Sequence, residues 1–192
     1  MRIVGGKAKG KMLKVPHLAY ERRVRPLTES TREALFNILQ PIIEGKDFLD
    51  LFAGTGAVGI EALSRGARLA IFAESDKRVV QTLRENIRNT GFEDRAEVFG
   101  IDVARAIKLL SRQSAKFHFI FIGAPYASSL AEETLTGLSD GSLLYADGIV
   151  IAEYSKRTPL KDQYGMLSSV REKEYGETTL SFYKVRLPSL PV

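Results

Sequence analysis

Three glycines follow a short apolar run in the segment FLDLFAGTGAVG, residues 48–59, and a loop with this glycine spacing could bind a nucleotide. Gly54, Gly56 and Gly59 fit the pattern that joins a strand to a helix in dinucleotide sites, and Glu74 lies 20 residues after Gly54. Glycine lets the backbone approach a ligand closely, and an ionised carboxylate can accept both ribose hydroxyls. On spacing alone, a nicotinamide-dependent dehydrogenase is one interpretation.

Residues beside the glycines favour a different ligand. Asp50 stands at the end of the apolar run, where a carboxylate repels a pyrophosphate but suits a cationic group. Phe52 and Ala53 lengthen the chain between the strand and the glycines, which leaves a cavity for a ligand beside the loop. S-adenosylmethionine has an adenosine end and a positively charged end, and Asp102 could accept from its adenine amino group. The alternative for each acid is a solvated residue at a strand end. The predicted cofactor-binding residues are Asp50, Phe52, Ala53, Gly54, Thr55, Gly56, Glu74, Ser75 and Asp102.

These residues are positioned by an alternation of strand-like and helical segments. The strand-length apolar runs are FLDLF, LAIFAE, FHFIFI and GIVIAE, and the intervening apolar positions recur every four residues, as in Val79-Leu83-Ile87. Such alternation predicts a parallel sheet with helices on both faces. The last two runs, 166–173 and 179–185, are joined only by EYGET, which is too short for a helical crossover and predicts an antiparallel pair.

Two features are predicted ahead of the first long strand. Ile3-Val4 and Met12-Leu13 are separated by GGKAKGK, which predicts a small glycine-containing hairpin. Ser30-Thr31-Arg32-Glu33 predicts a capping box at the start of a helix that Pro41 ends.

The positive charge is concentrated in the first 25 residues. They hold eight bases and one acid, a net +7, whereas the remaining residues carry 20 bases and 22 acids. A short basic arm of this kind is typical of a polyanion binder, because each contact with a phosphate releases counterions. The alternative is a solvated basic terminus. The predicted RNA-binding residues are Arg2, Lys7, Lys9, Lys11, Lys14, Arg22, Arg23 and Arg25.

Composition excludes several other kinds of chemistry. The chain has 192 residues, 44% of them hydrophobic, a net charge of +5 and no cysteine. This length supports one globular domain without disulfides, and the missing cysteine excludes a thiol nucleophile or a cysteine-ligated cluster. His17 and His118 are the only histidines; neither lies in a metal-ligand pattern, and His118 is expected to be structural. No apolar run is long enough to span a membrane. We expect a cytoplasmic monomer without a metal.

Several segments together resemble one known family. FLDLFAGTGAVGIEALSRGA, preceded by MRIVGGKAKGKMLKVP and TREALFNIL and followed by YGETTLSFYK, resembles the RsmD-type 16S rRNA guanine-N2 methyltransferases of bacteria. The resemblance covers residues 1 to about 185. It implies an α/β, Rossmann-like class I methyltransferase fold with a seven-stranded, mostly parallel sheet and an N-terminal hairpin extension. It also implies S-adenosylmethionine as cofactor and 16S rRNA, or the assembling small subunit, as substrate. The expected organisation is an RNA-binding arm (1–25), a methyltransferase domain (26–185) and an irregular tail (186–192).

The resemblance breaks at the residues expected to hold the reacting amine. Such enzymes carry Asp or Asn followed by Pro-Pro-Tyr, and this chain has Gly123, Ala124, Pro125 and Tyr126. Gly123 lacks the acidic acceptor, Ala124 keeps its carbonyl, and Tyr126 can stack on a flipped base. By analogy with other preorganised groups, the missing acceptor could cost about a hundred- to a thousand-fold in rate. Three interpretations stay open: a slow enzyme, an enzyme that uses another acceptor such as a nearby carboxylate or water, or a homologue that binds RNA or cofactor without modifying it.

Overall fold

An eight-stranded sheet forms the centre of the described residues, in the order β3-β2-β1-β4-β5-β8-β7-β6. The computed structural model describes residues 1–15, 27–126 and 128–186. The first five strands in this order, β3, β2, β1, β4 and β5, run parallel to one another. The last three, β8, β7 and β6, extend the sheet by antiparallel pairing. The strands are β1 (Asp47–Leu51), β2 (Leu69–Ala73), β3 (Ala96–Phe99), β4 (Phe117–Ile122), β5 (Leu144–Ser155), β6 (Gln163–Tyr164), β7 (Leu167–Tyr175) and β8 (Thr178–Val185).

In the part of the chain that the structure describes, five α-helices cover the two faces of this sheet. They are α1 (Glu29–Leu39), α2 (Ala57–Ser64), α3 (Lys77–Thr90), α4 (Val103–Arg112) and α5 (Leu130–Gly137), and a 3-10 turn spans Glu93–Arg95. Phe48, Phe72 and Phe119 pack with apolar residues of α1, α2 and α3 on one face. Leu49 and Ile120 pack with α4 and α5 on the other. Because successive strand side chains point to opposite faces, strands buried on both sides are largely apolar, as the sequence indicated.

The predicted methyltransferase-type sheet is confirmed, with differences at its edges. The antiparallel pair at the end of the chain is present as β7 and β8. The eighth strand, β6, was not predicted: it has two residues and pairs with β7 across a turn at Gly165, whose φ of +55° suits glycine. The capping-box prediction was wrong, because α1 begins two residues earlier and its N-cap is Thr28, whose side chain accepts from Thr31 N.

The N-terminal segment is a tightly turned loop rather than a pair of strands. One antiparallel bridge joins Arg2 to Met12, and Ile3 N donates to Lys11 O at 3.0 Å. Ile3, Ala8 and Leu13 are buried in the same cluster as α1 and α2. The loop therefore packs as part of the core, and the boundary at residue 25 stays a prediction.

Polar contacts hold this loop against α2. Ser64 Oγ accepts from Ala8 N at 2.9 Å and donates to Gly5 O, while Glu61 Oε2 accepts from Val4 N at 2.9 Å. Glu61 is fully buried and also pairs with Arg32 and Arg65, which are both almost fully buried. Because a buried charge is stable only when it is paired, this cluster fixes the loop in one orientation.

No helix in the described part of the chain is both long and apolar enough to cross a membrane.

Candidate active site

The glycine loop follows β1 and requires unusual backbone geometry. Phe52 has a φ of +63°, Gly54 of +55° and Gly56 of +80°. A Cβ on Gly56 would lie 2.3 Å from Leu83 Cδ1, and one on Gly59 would lie 2.3 Å from Phe72 Cε1. The glycines therefore permit both the left-handed turn and the close packing of α2 on the sheet, as the motif predicts.

Asp50 lies beneath this loop and is almost completely buried, with 1% of its surface exposed. Its Oδ2 accepts a hydrogen bond from Gly59 N at 2.8 Å. Burial raises the pKa of Asp50 to about 8; the hydrogen bond from Gly59 opposes this rise, and nearby Glu74 and Glu153 add to it. An acid held in this way would ionise more readily beside a positively charged ligand.

Glu74 ends the next strand and is fixed by two backbone groups. Its Oε2 accepts from Gly54 N at 3.1 Å, and its Oε1 accepts from Asp76 N at 2.9 Å. Each carboxylate oxygen can accept more than one hydrogen bond, so both retain capacity for a ligand hydroxyl. The side chain is half-buried and oriented before any ligand arrives.

A cleft of about 410 Å³ opens beside Glu74. Phe52, Glu74, Ser75 and Asp102, all predicted from the sequence, line it. Asp102 is exposed at the rim, where it caps α4 by accepting from Arg105 N at 2.9 Å and pairs with the Arg105 side chain at 3.2 Å. The remaining lining residues come from β2, α4 and α5 and include apolar side chains: Ala73, Val103, Ala104, Ile107, Leu130, Glu133, Thr134 and Gly137.

Other predicted cofactor residues do not line this cleft. Asp50, Gly54 and Gly56 are absent from its lining, and Ala53 N donates to Ala73 O at 2.9 Å. Thr55 is directed toward the N-terminal loop, since its Oγ1 donates to Met1 Sδ at 3.8 Å and its carbonyl accepts from Asn86 Nδ2 at 2.9 Å. Direct contact of these residues with a cofactor stays a prediction.

A second, smaller cavity of about 120 Å³ lies at the end of β4. Ala124, Pro125 and Tyr126 line it, together with Glu153 of β5. Gly123 precedes them and is half-buried, and its N–H donates to Leu51 O at 3.2 Å. The segment predicted to hold the reacting amine therefore borders a cavity at the carboxyl ends of the parallel strands, where open α/β sheets bind ligands.

Glu153 is the acid in this cavity, and sequence reasoning missed it. Only 5% of its surface is exposed, and its Oε1 accepts from the Tyr126 hydroxyl at 2.5 Å. That hydroxyl also lies 2.8 Å from Thr178 Oγ1. Burial raises the pKa of Glu153 to about 7, although the hydrogen bond from Tyr126 lowers it. The available signal was a single acid inside the apolar run IVIAEYS.

The basic residues of the N-terminal loop fall into two groups. Arg2 pairs with Glu29 at 3.1 Å and Lys14 with Glu85 at 2.8 Å, while Lys11 Nζ donates to two carbonyls at the end of α3. Lys7 and Lys9 are exposed. The predicted RNA contacts at Arg22, Arg23 and Arg25, and also His17, lie outside the described residues.

The remaining histidine, His118, lies in β4 at the opposite end of the sheet. Its Nδ1 accepts from Asp47 N at 3.2 Å, and its ring packs on Tyr145 with centroids 4.2 Å apart. Burial lowers its pKa. Across the described residues, no group of three or more histidine, aspartate and glutamate side chains is placed to hold a metal ion.

Comparison with known proteins identifies the family. The family model described as Conserved hypothetical protein 95 matches residues 1–184. The Bacillus subtilis protein YlbH, whose name marks it as a candidate rRNA methyltransferase, is 34% identical over 186 residues, covering 97% of this chain and 100% of its own. Ribosomal RNA small subunit methyltransferase D of Escherichia coli K12 is 33% identical over 184 residues, covering 96% of this chain and 89% of its own.

Solved structures agree with these relatives. An E. coli protein, yhhF, described as a candidate methyltransferase, superposes with a TM-score of 0.82 at 33% identity and covers 96% of this chain and 97% of its own. A hypothetical protein of Thermus thermophilus superposes with a TM-score of 0.80 at 36% identity, covering 96% of this chain and 99% of its own. The glycine loop, the oriented acid after β2 and the near-complete matches agree, and this chain therefore belongs to the RsmD-type methyltransferase family.

Proposed function

We propose that the protein transfers a methyl group from S-adenosylmethionine to the exocyclic N2 amine of a guanine in small-subunit ribosomal RNA. The observation that carries this proposal is the arrangement of two cavities at one end of the sheet. The larger cavity adjoins the glycine loop and Glu74, and the smaller one adjoins Gly123 to Tyr126. Relatives named as rRNA methyltransferases support RNA as the substrate class, and they support a methyl donor over a nicotinamide.

The larger cleft fits S-adenosylmethionine on structural grounds. Glu74 is held by two backbone N–H groups with acceptor capacity left for ribose hydroxyls. Apolar side chains of α4 and α5 provide a surface for a base, and Asp102 stands at the rim beside them. Buried Asp50 lies close enough to Glu74 for the charge of Glu74 to raise its pKa, and these two acids favour a cationic ligand. When bound, the cofactor supplies a methyl group on an already activated, positively charged sulfur.

The residues of the smaller cavity position the acceptor. By the resemblance, the Ala124 carbonyl would accept one amine N–H, and Tyr126 offers a ring on which a flipped base can stack. The Tyr126 hydroxyl is anchored on Glu153 and Thr178, which fixes the plane of that ring. Because the methyl donor is already activated, positioning is the main contribution required of the protein.

Methylation of purified 16S rRNA and of small-subunit particles tests the proposal. Tritiated S-adenosylmethionine and nucleoside mass spectrometry should reveal N2-methylguanosine in one of these substrates. A Glu74→Gln variant should bind S-adenosylhomocysteine more weakly in calorimetry, whereas Glu97→Gln, which changes an exposed acid of β3, should bind like the wild type. Methylation on another base, or tight binding of NAD without binding of S-adenosylhomocysteine, would overturn the assignment.

Gly123 favours a second candidate function, a homologue that binds RNA and cofactor without transferring a methyl group. A Gly123→Asp variant separates the two functions. If only the variant methylates the particles, the natural chain is a binding protein; if the natural chain methylates them itself, it is an enzyme.

A further inference from the structure

At the position that carries an acid in the family, a side chain would be crowded in this protein. A Cβ built on Gly123 would lie 2.9 Å from Cε1 of Phe121, closer than real Cβ contacts allow. Phe121 is 2% exposed and belongs to the core cluster, so its ring cannot move freely. The aromatic ring thus occupies part of the space that a side chain at residue 123 would need.

Glu153 lies on the adjacent strand, β5, at the position that matches Gly123. In the parallel pair of β4 and β5, Phe121 lies opposite Ile151 and Ile122 opposite Ala152, so one further step brings Gly123 level with Glu153. Side chains at matched positions of neighbouring strands point to the same face. Phe121 and Ile151 belong to the same core cluster, which places Glu153 on the face that a side chain at Gly123 would share.

The Glu153 carboxylate has one oxygen engaged and one available. Oε1 accepts from the Tyr126 hydroxyl, and Oε2 accepts no hydrogen bond from the described residues. The side chain lines the cavity that Ala124 and Tyr126 also line. An acceptor oxygen is therefore already present at the wall of the proposed base site, supplied by β5 instead of β4.

We infer that the Glu153 carboxylate replaces the missing acid, accepting a hydrogen bond from the guanine amine and then taking the proton that this amine loses. This inference rests on the proposed function. The amine nitrogen gains the methyl carbon as the sulfur–carbon bond breaks with its electron pair passing to sulfur, and one amine proton passes to Glu153. Burial raises the pKa of Glu153 to about 7, which suits a proton acceptor near neutral pH.

The Glu153→Gln variant tests this role, because glutamine keeps the volume and an oxygen that can accept from Tyr126. It removes the charge and replaces the second acceptor with an N–H donor. We expect the single-turnover rate of methyl transfer to small-subunit particles to fall about a hundredfold, by analogy with loss of one preorganised group. Binding of S-adenosylhomocysteine should stay close to wild type, and the melting temperature should not fall below it, because glutamine removes a buried group that ionises near pH 7.

A matched variant controls for a merely structural effect. Glu172 also accepts from a tyrosine hydroxyl, that of Tyr154 at 2.6 Å, but it does not line the cavity. Glu172→Gln should leave the transfer rate within about threefold of wild type. A Glu153→Gln rate equally close to wild type would overturn the inference.

The pH profile adds a readout that a structural role would not change. At saturating cofactor, the wild-type rate should fall as pH decreases through 7, because protonation removes the acceptor; in Glu153→Gln this step should be absent. The titratable groups that face Glu153 are Tyr126, which bonds to it, and Asp50, whose pKa it raises; Glu132 and Tyr154 line the same cavity. Retention of the same pH step in the variant would assign it to one of those groups and refute the role of Glu153.

A binding measurement distinguishes failure of this inference from failure of the proposed function. If the wild type transfers no methyl group to RNA or particles, the proposed function fails. In that case the carboxyl resonance of Glu153, observed by NMR after 13C labelling, still tests whether Glu153 binds the guanine amine. Guanosine monophosphate should shift this resonance and inosine monophosphate, which lacks the amine, should not; equal effects, or no effect of either, would contradict recognition by Glu153.

Discussion

Replacing Asp50 with asparagine should make the protein less sensitive to alkaline pH. The folded chain holds the Asp50 proton up to a pKa of about 8 because the group is buried, whereas an unfolded aspartate has a pKa of about 4. Between these values the unfolded chain has lost a proton that the folded chain keeps. The free energy of unfolding therefore falls with rising pH by about 1.4 kcal/mol per unit, and this fall ends above the folded pKa.

The expected size of the effect follows from this shift. Between pH 6 and pH 9, Asp50 should lower the free energy of unfolding by about 2–3 kcal/mol, which corresponds to roughly 4–12 °C in melting temperature for a chain of this size. Asparagine does not titrate, and its side-chain oxygen can still accept from Gly59 N. The melting temperature of Asp50→Asn should thus fall less across this interval than that of the wild type.

Differential scanning calorimetry at pH 6, 7, 8 and 9 provides the measurement. Glu153 also loses its proton in this range and raises the pKa of Asp50, so the two proteins are also compared in a Glu153→Gln background, where the difference between them isolates Asp50. Asp102→Asn, which changes an exposed acid at the same end of the sheet, should follow the wild-type curve. Parallel curves for wild type and Asp50→Asn would show that Asp50 is ionised in the folded protein and refute the reasoning.

Three further predictions concern the base site and the N-terminal loop. Gly123→Asp should lower the free energy of unfolding by about 1–3 kcal/mol in urea denaturation, since its Cβ overlaps the Phe121 ring; addition of Phe121→Leu should recover part of this loss. Joint replacement of Lys7 and Lys9 by glutamine should make the salt dependence of 16S rRNA binding shallower by roughly 1.5–2 in log–log slope, and an unchanged slope in filter binding would exclude them as phosphate contacts. Asn86→Ala should cost about 1–3 kcal/mol and expose the N-terminal loop to trypsin before the core, because Asn86 is fully buried and holds that loop by two hydrogen bonds to Lys14, with a third to Thr55 of the glycine loop.

The parallel part of the sheet could be predicted because its signal is local. Strands such as β1 are buried on both faces, so FLDLF is apolar except for Asp50, and the helix that follows keeps its own period. The antiparallel end could be predicted because Tyr175 and Thr178 are separated by too few residues for a crossover. Strand β6 could not, since two residues show no periodicity and their pairing depends on the turn at Gly165.

The base site was only partly predictable because its contacts are long-range. The spacing of the glycines and Glu74 reflects a local strand-loop-helix unit, and the structure brings them together through a hydrogen bond. Glu153 lies 27 residues from Tyr126 in the sequence, and whether its side chain joins the cavity depends on the register of β5 against β4. A shift of one residue in that register would turn Glu153 to the other face.

Asn86 connects the N-terminal loop to the glycine loop, and this connection helps to explain how an enzyme that lacks the usual acid at residue 123 could work. Asn86 Nδ2 donates to Lys14 O at 3.0 Å and to Thr55 O at 2.9 Å, while Asn86 Oδ1 accepts from Lys14 N at 2.8 Å. One buried side chain thus fixes the proposed RNA-binding loop against the proposed cofactor loop. If the N-terminal loop holds RNA phosphates, the distance from those phosphates to the cofactor is set by this rigid connection. Because correct placement of the reactants supplies much of the rate in a methyl transfer, binding energy gained far from the guanine can offset a weaker set of acceptors at Gly123.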